Sequence, residues 1–558
     1  MLSVLKFIGI CLEVVLLFNF VIFFHELGHF LAAKWRGLVV EEFAIWFGKP
    51  IWRKKIGGVW YALNSIPFGG YVKLPQLANG DVEGSSEFPT GSLPTAKPID
   101  KIIVAAAGPL FSFILACIFA VIVSQIGYPM REEAGTTVIG GLMKDGPAEK
   151  AGMKIGDEIV SIDGIAVSRF IGQGDNAIMW RIVRSEGDTL PIVVRRDGKE
   201  LTLTPSPTRP DKTILTRRKT REIGIAPATT PRVGVVDAKG SAQAAGLRKG
   251  DFITHVNGEK LYAIDGIEQY LADNPAEQVE LTIERGDVKN PEILKVPFRL
   301  SASTIKRVEI DSPGERAGLK NGDMVVSVDG KVLKSSIGIV GHIIAKKAEP
   351  IVFSVERDGK VIPDIKVVPA EAKLETGGTR PRIGVLFGQE YGMKFDGMGR
   401  GTPAYPGVRE QVQQSAMAIF NTIGAITSSK SEISIQHLGG PVMMMNLYYR
   451  LFEQEDGWKL AFWFSVILNV NLALMNLLPI PPLDGSHITF ATIAAIKRRP
   501  EAADEMANSK PVQWFVTAGT IMIMGFMLFV TFYDLQDVFG GGESNKFPYA
   551  NPAEANAK

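Results

Sequence analysis

The chain has 558 residues, with 61 lysines and arginines against 59 aspartates and glutamates, which gives a formal net charge of +2. This length predicts several domains rather than one compact core. The balanced charge gives no indication of a nucleic-acid partner, and 2 cysteines are too few for a disulfide framework.

Four apolar segments are long enough to cross the hydrocarbon core of a bilayer, which needs about 20 residues. They lie at residues 7–24, 102–130, 460–483 and 511–533. The first has the position of a signal peptide, but its apolar run is too long and no small-residue cleavage site follows it. We therefore interpret it as a retained span, so the lipid bilayer is a predicted partner.

The first span continues into His-Glu-Leu-Gly-His at residues 25–29. Histidines at positions i and i+4 lie on one face of a helix and can share a metal ion, and Glu26 beside them can take a proton from water. Ordinary packed histidines are the alternative interpretation. Ionisable groups inside a membrane helix are expensive and usually functional, which favours Zn²⁺ ligation by His25 and His29 with Glu26 as the catalytic base.

The distribution of lysine and arginine predicts the orientation of the spans, because these residues concentrate in cytoplasmic loops. The loops after spans one and three are basic, whereas Glu132 and Glu133 follow span two and Asp534 and Asp537 follow span four. Both termini and the middle region are therefore predicted outside, and His25 and His29 near the cytoplasmic face.

A phrase of the form Ala-Gly-x-x-x-Gly-Asp, followed by an alternating strand and an Asx-Gly turn, recurs at 151–164, 245–258 and 317–330. It resembles the PDZ domain in its bacterial, circularly permuted form. Such domains bind extended peptides by adding a strand to a sheet edge, so peptide ligands are predicted partners. The alternative is that some copies are spacers. His255 and His342, which lie in the second and third copies, are predicted to have no catalytic role.

A third metal ligand is needed, because a catalytic zinc site holds three protein ligands and leaves one position open. Span three ends in a proline-rich segment that closes with Asp484 and Gly485. The predicted topology places Asp484 at the depth of His25 and His29, so Asp484 is the predicted third ligand. A plain helix-ending aspartate is the alternative. Asn471 and Asn476 are amides within the same span, where each needs a hydrogen-bond partner.

These motifs together resemble the site-2 protease family of intramembrane zinc metalloproteases, in its bacterial regulator of sigma-E protease branch. The resemblance covers nearly the whole chain and rests on the histidine box, on the Asn-x-x-Pro-x-Pro-x-Leu-Asp-Gly signature at 476–485, and on the β loop at 64–73. The third PDZ-like copy departs from the two of the commonest members, and residues 76–97 look like a loose insertion.

The resemblance implies hydrolysis within the membrane of single-pass proteins already trimmed by another protease, such as an anti-sigma factor or a remnant signal peptide. It implies substrate contact by Asn476 and, less strongly, Asn471, for which helix–helix packing is the alternative interpretation. Residues 59–74, which alternate polar and apolar and are predicted to turn at Gly69 and Gly70, would pair with the unwound substrate. A simple cytoplasmic hairpin is the alternative. The implied location is the bacterial inner membrane, with the PDZ region in the periplasm.

The predicted fold class is a polytopic α-helical membrane protein with four transmembrane helices, a membrane-associated β loop and three β-rich PDZ-like α/β domains outside. In chain order we predict transmembrane helix 1 (1–36), the β loop with a linker (37–100), transmembrane helix 2 (101–130), PDZ-like copies (135–210, 221–300 and 301–388), an amphipathic helix and linker (405–445), transmembrane helix 3 (458–485), a cytoplasmic loop (486–510), transmembrane helix 4 (511–535) and an outer tail (536–558).

Two other classes of function are compatible with parts of this sequence. A scaffold could gather outer proteins on its PDZ-like copies around a structural zinc site, but a closed site needs no general base such as Glu26. A transporter could use polar membrane helices, but four spans without an inverted repeat disfavour it.

Overall fold

The computed structural model describes residues 2–77, 93–94, 96–172, 174–208, 220–237, 240–274, 278–288, 290–299, 303–333, 336–373, 379–389, 391–428, 433, 435–453, 456–498 and 509–539. Most of the predicted insertion 76–97 and of the outer tail 536–558 lies outside the described residues. Contacts divide the chain into two compact units. The first comprises residues 1–129, 211–219 and 403–543, and the second comprises residues 130–210, 220–402 and 544–558.

Most of the first unit is helical, and the helices of the second unit are short. They are α1 (Leu2–Arg36), α2 (Pro98–Ile126), α3 (Glu132–Gly135), α4 (Pro147–Lys150), α5 (Ile178–Arg184), α6 (Ser241–Ala244), α7 (Gly266–Asp273), α8 (Pro313–Arg316), α9 (Ser336–Lys346), α10 (Val408–Thr427), α11 (Pro441–Glu453), α12 (Gly457–Asn476), α13 (Asp484–Ile496) and α14 (Lys510–Phe539), with a 3-10 turn at Ile435–His437. By length and composition, α1, α2, α12 and α14 could each cross a membrane, in agreement with the four predicted spans.

Strands supply the β loop of the first unit and most of the second unit. They are β1 (Glu42–Ile56), β2 (Val59–Lys73), β3 (Tyr128–Pro129), β4 (Ile139–Leu142), β5 (Glu158–Ile162), β6 (Ile165–Ala166), β7 (Ile192–Arg196), β8 (Lys199–Leu203), β9 (Ile225–Pro227), β10 (Val233–Val236), β11 (Phe252–Val256), β12 (Glu259–Lys260), β13 (Gln278–Arg285), β14 (Glu292–Arg299), β15 (Ser303–Val308), β16 (Met324–Val328), β17 (Ile351–Arg357), β18 (Lys360–Val367), β19 (Ala370–Lys373), β20 (Thr379–Arg382), β21 (Val385–Gln389), β22 (Met393–Phe395) and β23 (Pro403–Ala404).

Helix α2 is the centre of the first unit, because α1, α12 and α13 all pack against it. Its alanines Ala116 and Ala120 are fully buried in a cluster that also holds Val21 of α1 and Val466 of α12. Small residues let membrane helices approach closely, since van der Waals contact rather than water exclusion drives their association. The same helix therefore joins the elements that carry the two halves of the predicted metal site.

The third candidate span is shorter than predicted. Helix α12 ends at Asn476 and a separate helix, α13, begins at Asp484, so the predicted span 458–485 and the predicted loop 486–510 both need correction. Prolines at 479, 481 and 482 end the helix, because each lacks an amide hydrogen and clashes with the preceding turn. A Cβ on Gly485 would lie 2.3 Å from the carbonyl oxygens of Leu477 and Leu478, so only glycine allows α13 to start against the end of α12.

The β loop is a folded sheet built from two long strands. Residues Gly70–Lys73 of β2 pair antiparallel with Glu42–Ile45 of β1, and Val59–Leu63 pairs with Trp52–Ile56. The tight turn lies at Gly57 and Gly58, with φ values of 59° and 87°, rather than at the predicted Gly69 and Gly70, which lie inside β2. Among the described strands, Gly70–Lys73 pairs on one side only.

The predicted amphipathic helix and linker at 405–445 form two helices, α10 and α11. The side-chain amide of Gln411 in α10 donates to the carbonyl oxygen of Ala120 in α2 at 2.9 Å. The backbone amides of Gly440 and Met443, at the start of α11, donate to the Asp534 carboxylate of α14, which is 1% exposed. This carboxylate accepts from amides that have no partner within their own helix, at the N-terminus of α11, and so links α11 to α14.

The second unit contains three separate hydrophobic cores, one for each copy of the repeated phrase. In each copy the aspartate of the Gly-Asp turn is buried and binds an arginine from a later strand. The pairs are Asp157 with Arg196, Asp251 with Arg285 and Asp323 with Arg357, at 2.6–2.8 Å. A bidentate arginine neutralises the buried carboxylate and fixes the turn.

The copies close differently from the predicted limits 135–210, 221–300 and 301–388. Strand β9, predicted in the second copy, pairs with β4, and Ile225 belongs to the core of the first copy. Strand β22, predicted beyond the third copy, pairs with β10, and Met393 belongs to the core of the second. The third copy closes on itself through β15 and β21. It is therefore inserted between the body of the second copy and its last strand.

Candidate metal centre

Helix α1 carries the first half of the site. His25 and His29 are separated by one helical turn, and both are buried, at 7% and 8% exposure. Their Nε2 atoms lie 3.3 Å apart, so the two rings converge on one point as the spacing predicts.

Helix α2 orients both imidazole rings. The Nδ1 atom of His29 lies 2.8 Å from the carbonyl oxygen of Val104, and the Nδ1 atom of His25 lies 2.9 Å from the hydroxyl of Ser112. A carbonyl oxygen only accepts, so Nδ1 of His29 carries the hydrogen and its Nε2 keeps a lone pair for a metal. Such outer partners fix the tautomer and the ring angle of metal-binding histidines.

Asp484 at the start of α13 completes a cluster of three. Its Oδ2 atom lies 3.3 Å from Nε2 of His25, and its Oδ1 atom lies 3.3 Å from Nε2 of His29. Zinc bonds of about 2.0–2.1 Å in tetrahedral geometry place neighbouring ligand atoms about 3.3–3.4 Å apart. The two Nε2 atoms have this spacing, and each carboxylate oxygen lies at this distance from one of them, so the three side chains can hold one zinc ion. Within the described part of the chain, no other group of three such side chains was found.

Glycine at position 108 leaves room for this cluster. A Cβ there would lie 2.1 Å from Nε2 of His29 and 2.8 Å from Nε2 of His25. The backbone of α2 thus approaches the ring nitrogens more closely than any side chain would allow. Asp484 Oδ2 is buried and has no hydrogen bond from a described residue, as expected for an oxygen that faces a cation.

A cavity of about 320 Å³ opens beside the cluster, bordered by Glu26, Tyr71 and Asn476 among others. A Cβ on Gly70 would lie 3.6 Å from Cγ of Glu26, so the edge of β2 passes directly by the predicted base. The side-chain amide nitrogen of Asn476 lies 3.3 Å from Nε2 of His25. The base, the edge strand and one predicted substrate-binding amide therefore share one space with the ligands.

The other predicted substrate-binding residues are placed differently. Asn471 does not border this cavity, and its Oδ1 atom is buried without a hydrogen bond from a described residue. Gly69 has a φ of 77°, and a Cβ there would overlap the ring of Phe47. Gly69 is therefore required by the shape of β2, whereas Gly70 borders the cavity.

Sequence reasoning missed four residues that the site uses. Ser112, Val104 and Gly108 lie on α2, which carries no recognisable motif, so only the packing of α2 against α1 reveals them. His487 also borders the cavity, one turn after Asp484 on α13. Its position three residues beyond the aspartate was a usable signal, because i and i+3 lie on one face of a helix.

Comparison with known proteins gives matches over most of the chain. The model of peptidase family M50 matches residues 13–520. Protease RseP of Yersinia pestis is 25% identical over 516 residues, covering 91% of this chain and 95% of its own. The regulator of sigma E protease of Salmonella typhi is 26% identical over 519 residues with the same coverage. A Vibrio cholerae protein with the provisional description zinc metalloprotease is 25% identical over 504 residues, covering 86% and 90%.

A solved PDZ domain of an SdrC-like protein from Listeria monocytogenes is 21% identical, with a TM-score of 0.14, and covers 16% of this chain and 87% of that one. The family match runs from before the histidine box to beyond Asp484 and so includes every residue of the metal centre. The chain therefore belongs to peptidase family M50, the site-2 metalloproteases.

Proposed function

We propose that the chain is an intramembrane zinc endopeptidase that cleaves transmembrane segments of single-pass membrane proteins during regulated intramembrane proteolysis. The observation that carries this proposal is the set of three 3.3 Å separations among His25, His29 and Asp484. Two of these ligands lie on a helix that is long and apolar enough to span a bilayer. Hydrolysis at such a site acts on peptide bonds that lie in or at the edge of the membrane.

The residues around the cluster have distinct roles in peptide hydrolysis. A zinc ion held by the three ligands supplies a Lewis acid for the carbonyl and lowers the pKa of a water molecule. Glu26 borders the same cavity and is the base that takes the water proton and passes it to the leaving nitrogen. The Asn476 side chain, 3.3 Å from His25, is placed to bind the substrate backbone.

The exposed edge of β2 can bind a substrate segment that has unwound from its helical shape. A transmembrane helix hides its peptide bonds in internal hydrogen bonds and must unwind before attack. Residues Gly70–Lys73 pair with β1 on one side, and Gly70, Tyr71 and Val72 border the cavity. An unwound substrate strand can add to this edge and so present an extended peptide bond to Glu26.

The four apolar helices and the bacterial relatives support a location in the bacterial inner membrane, and the charge distribution supports a metal centre near the cytoplasmic face. On this arrangement the three PDZ-like copies are periplasmic and act on the substrate before cleavage. They select by strand addition or by excluding bulky outer domains. The substrate class is then a single-pass protein that another protease has already trimmed, of the anti-sigma factor or remnant signal peptide type.

The first test separates the base from the ligands. Purified protein should hold one zinc ion per chain, and Glu26→Gln should retain zinc while losing cleavage of a model transmembrane substrate. His29→Ala and Asp484→Ala should lose zinc and cleavage together, because three ligands share the ion. Equal loss of zinc in Glu26→Gln would show that Glu26 is a ligand instead.

The second test addresses trimming. Strands β3 and β23 pair Tyr128 with Ala404 and Pro129 with Pro403, so a short glycine-serine linker can replace residues 130–402 between paired strands. This variant should cleave an untrimmed substrate that the intact chain refuses, and both should cleave the trimmed form. If the variant still refuses the untrimmed substrate, exclusion by the copies is wrong. If it binds zinc and cleaves neither substrate, the copies are needed to hold the catalytic helices together.

A further inference from the structure

The second copy contains a cavity of about 440 Å³ that is distinct from the metal centre. It is formed by strand ends and turns rather than by an open strand edge. Five basic side chains from four separate segments border it, namely Arg232, Arg248, Lys249, Arg285 and Arg400.

The lining of this cavity is predominantly basic, with five cations and one carboxylate, Asp251. Arg285 binds Asp251 at 2.8 Å, Arg400 binds Glu284 at 2.6 Å and Arg232 lies 3.4 Å from Asp396. Arg248 and Lys249 are exposed and form no ion pair with a described residue. Further carboxylates lie beside the lining, since Glu132 accepts from the Arg400 amide and Glu292 is near Arg285, so Arg248 and Lys249 are the two bordering cations without a carboxylate partner among the described residues.

Two of the guanidinium groups are held in place by an aromatic ring. The Cζ atoms of Arg232 and Arg400 lie 5.6 Å and 5.0 Å from the centre of the Phe252 ring. Cation–π contact holds the two guanidinium groups at the border of the cavity, where each also pairs with a carboxylate. Arg400 also donates its backbone amide to Glu132 at 2.7 Å, which anchors the segment that carries it.

The other two copies provide an internal comparison. In each copy, one backbone amide donates to the carbonyl oxygen of the aspartate in the Gly-Asp turn, and the donors are Ile139, Val233 and Ile305. The residues just before these donors, Val138, Arg232 and Thr304, therefore occupy corresponding positions. By their place in the repeated phrase and in the hairpin that follows it, Lys249 corresponds to Ile155 and Asn321, and Gly286 to Asp197 and Asp358. The second copy thus has cations at two positions where the other copies are neutral, and the carboxylate of its hairpin turn, Asp287, stands one position later than Asp197 and Asp358.

We propose that this cavity binds a phosphate group. A phosphate monoester carries about −1.5 to −2 charges near pH 7, which suits a lining of five cations and one carboxylate, and a guanidinium group can bind two of its oxygens at once. The group can belong to a phospholipid headgroup or to a soluble phosphate compound. Because Arg232 and Lys249 have no basic counterpart in the other two copies, phosphate binding at this cavity is specific to the second copy.

Titration calorimetry of the full chain with inorganic phosphate, at constant ionic strength, tests the proposal. The double variant Arg232→Val, Lys249→Ile places the residues of the first copy in the second and should weaken phosphate binding at least about 10-fold. A control that removes two exposed cations elsewhere, Lys199→Ile with Lys360→Val, should bind phosphate as the natural chain does. Amide exchange of β11 and β13 checks that the second copy of each variant is folded.

The outcomes are separable. Absence of saturable binding up to about 10 mM phosphate, or equal binding by the cavity variant and the natural chain, would overturn the proposal. An acidic peptide that binds where phosphate does not would also overturn it. The source of the phosphate group can be tested with the chain in nanodiscs, in which phosphatidic acid replaces part of the phosphatidylcholine. If inorganic phosphate then no longer gives a binding signal, the lipid headgroup is the ligand. A signal that persists assigns a soluble phosphate compound.

Discussion

Glycine 108 is the residue whose replacement tests the metal centre most directly. A Cβ at this position would lie 2.1 Å and 2.8 Å from the two ring nitrogens that face the metal. The rings cannot withdraw, because their Nδ1 atoms are fixed by Val104 and Ser112. We expect Gly108→Ala to lose bound zinc and proteolysis together, as measured by metal analysis and cleavage of a model substrate.

Gly525→Ala on α14 is the matched control, because a Cβ there meets no atom within 4 Å. It adds the same methyl group to another span and should leave zinc content and cleavage unchanged. If Gly108→Ala keeps its zinc, the rings have more freedom than their hydrogen bonds indicate.

The clustering of His25, His29 and Asp484 could be predicted from sequence because each belongs to a short motif with a chemical reason for its spacing. His25 and His29 stand one turn apart, and Asp484 was found through the depth at which its span ends. Gly108 and Ser112 were not predictable, because their importance comes from contacts with residues about 80 positions earlier in the chain. Sequence spacing reports neighbours along a helix, whereas these contacts depend on how two helices pack.

At the scale of secondary-structure elements, the contact between the turn after β16 and strand β17 of the third copy is expected to weaken at low pH. Burial alone would raise the pKa of Asp329, but hydrogen bonds from the amide of Val352 and from His342 and Lys346 outweigh it and lower the pKa to about 2. The unfolded value is about 3.9. At pH values well above 4, the carboxylate therefore contributes its full stabilisation to the fold. This stabilisation is lost as the pH falls toward 2.

Amide hydrogen exchange of the full chain can detect this loss. The amide of Val352 donates to Asp329 Oδ1 at 2.8 Å, and the corresponding amide of Glu280 in the second copy donates to Asn257 Oδ1 at 2.7 Å. Asparagine does not titrate, so protection at Val352 should fall relative to Glu280 between pH 5 and pH 2.5. Asp329→Asn should remove the difference, and parallel loss of protection in the natural chain would contradict the assignment.

Sequence patterns predict some of the helices and strands well and others poorly. The four spans were predicted because long apolar runs have few alternatives in a chain with this charge content. Helix α13 was predicted as a loop, since its 13 residues are too few to suggest a span and follow a proline-rich segment. Strand β22 was missed because three residues carry no period of their own, and its place is decided by pairing with β10.

For the whole molecule, the distribution of charge predicts which side of the membrane each part faces. After replacement of Cys11 and Cys117 by serine, single cysteines at Lys54 and Lys199 provide matched reporters, because both positions are exposed and lose the same charge. An impermeant thiol reagent added to intact cells should label position 199 in the first copy and not position 54 in the β loop. Labelling of position 54 would reverse the predicted orientation.

The nested arrangement of the copies makes the third one removable. Its strands lie between β14 and β22 of the second copy, so excision of residues 301–389 with a short glycine-serine linker leaves the second core complete. Excision of residues 301–396 also removes β22 and the buried side chains of Tyr391 and Met393. Loss of two large core side chains costs about 2–5 kcal/mol each, which is comparable with the whole stability of a small domain.

We therefore expect the shorter excision to keep amide protection in β11 and β13 and the longer excision to lose it, although the two differ by only seven residues (396 − 389). The first copy serves as the internal reference, because its own closing strand, β9, precedes both cuts. Protection in β5 and β7 should be the same in both variants. Loss of protection in the second copy after the shorter excision would mean that the third copy supports its neighbour through contacts beyond chain connectivity. Retention after the longer excision would mean that β22 contributes little and that the pairing with β10 is not what closes the second copy.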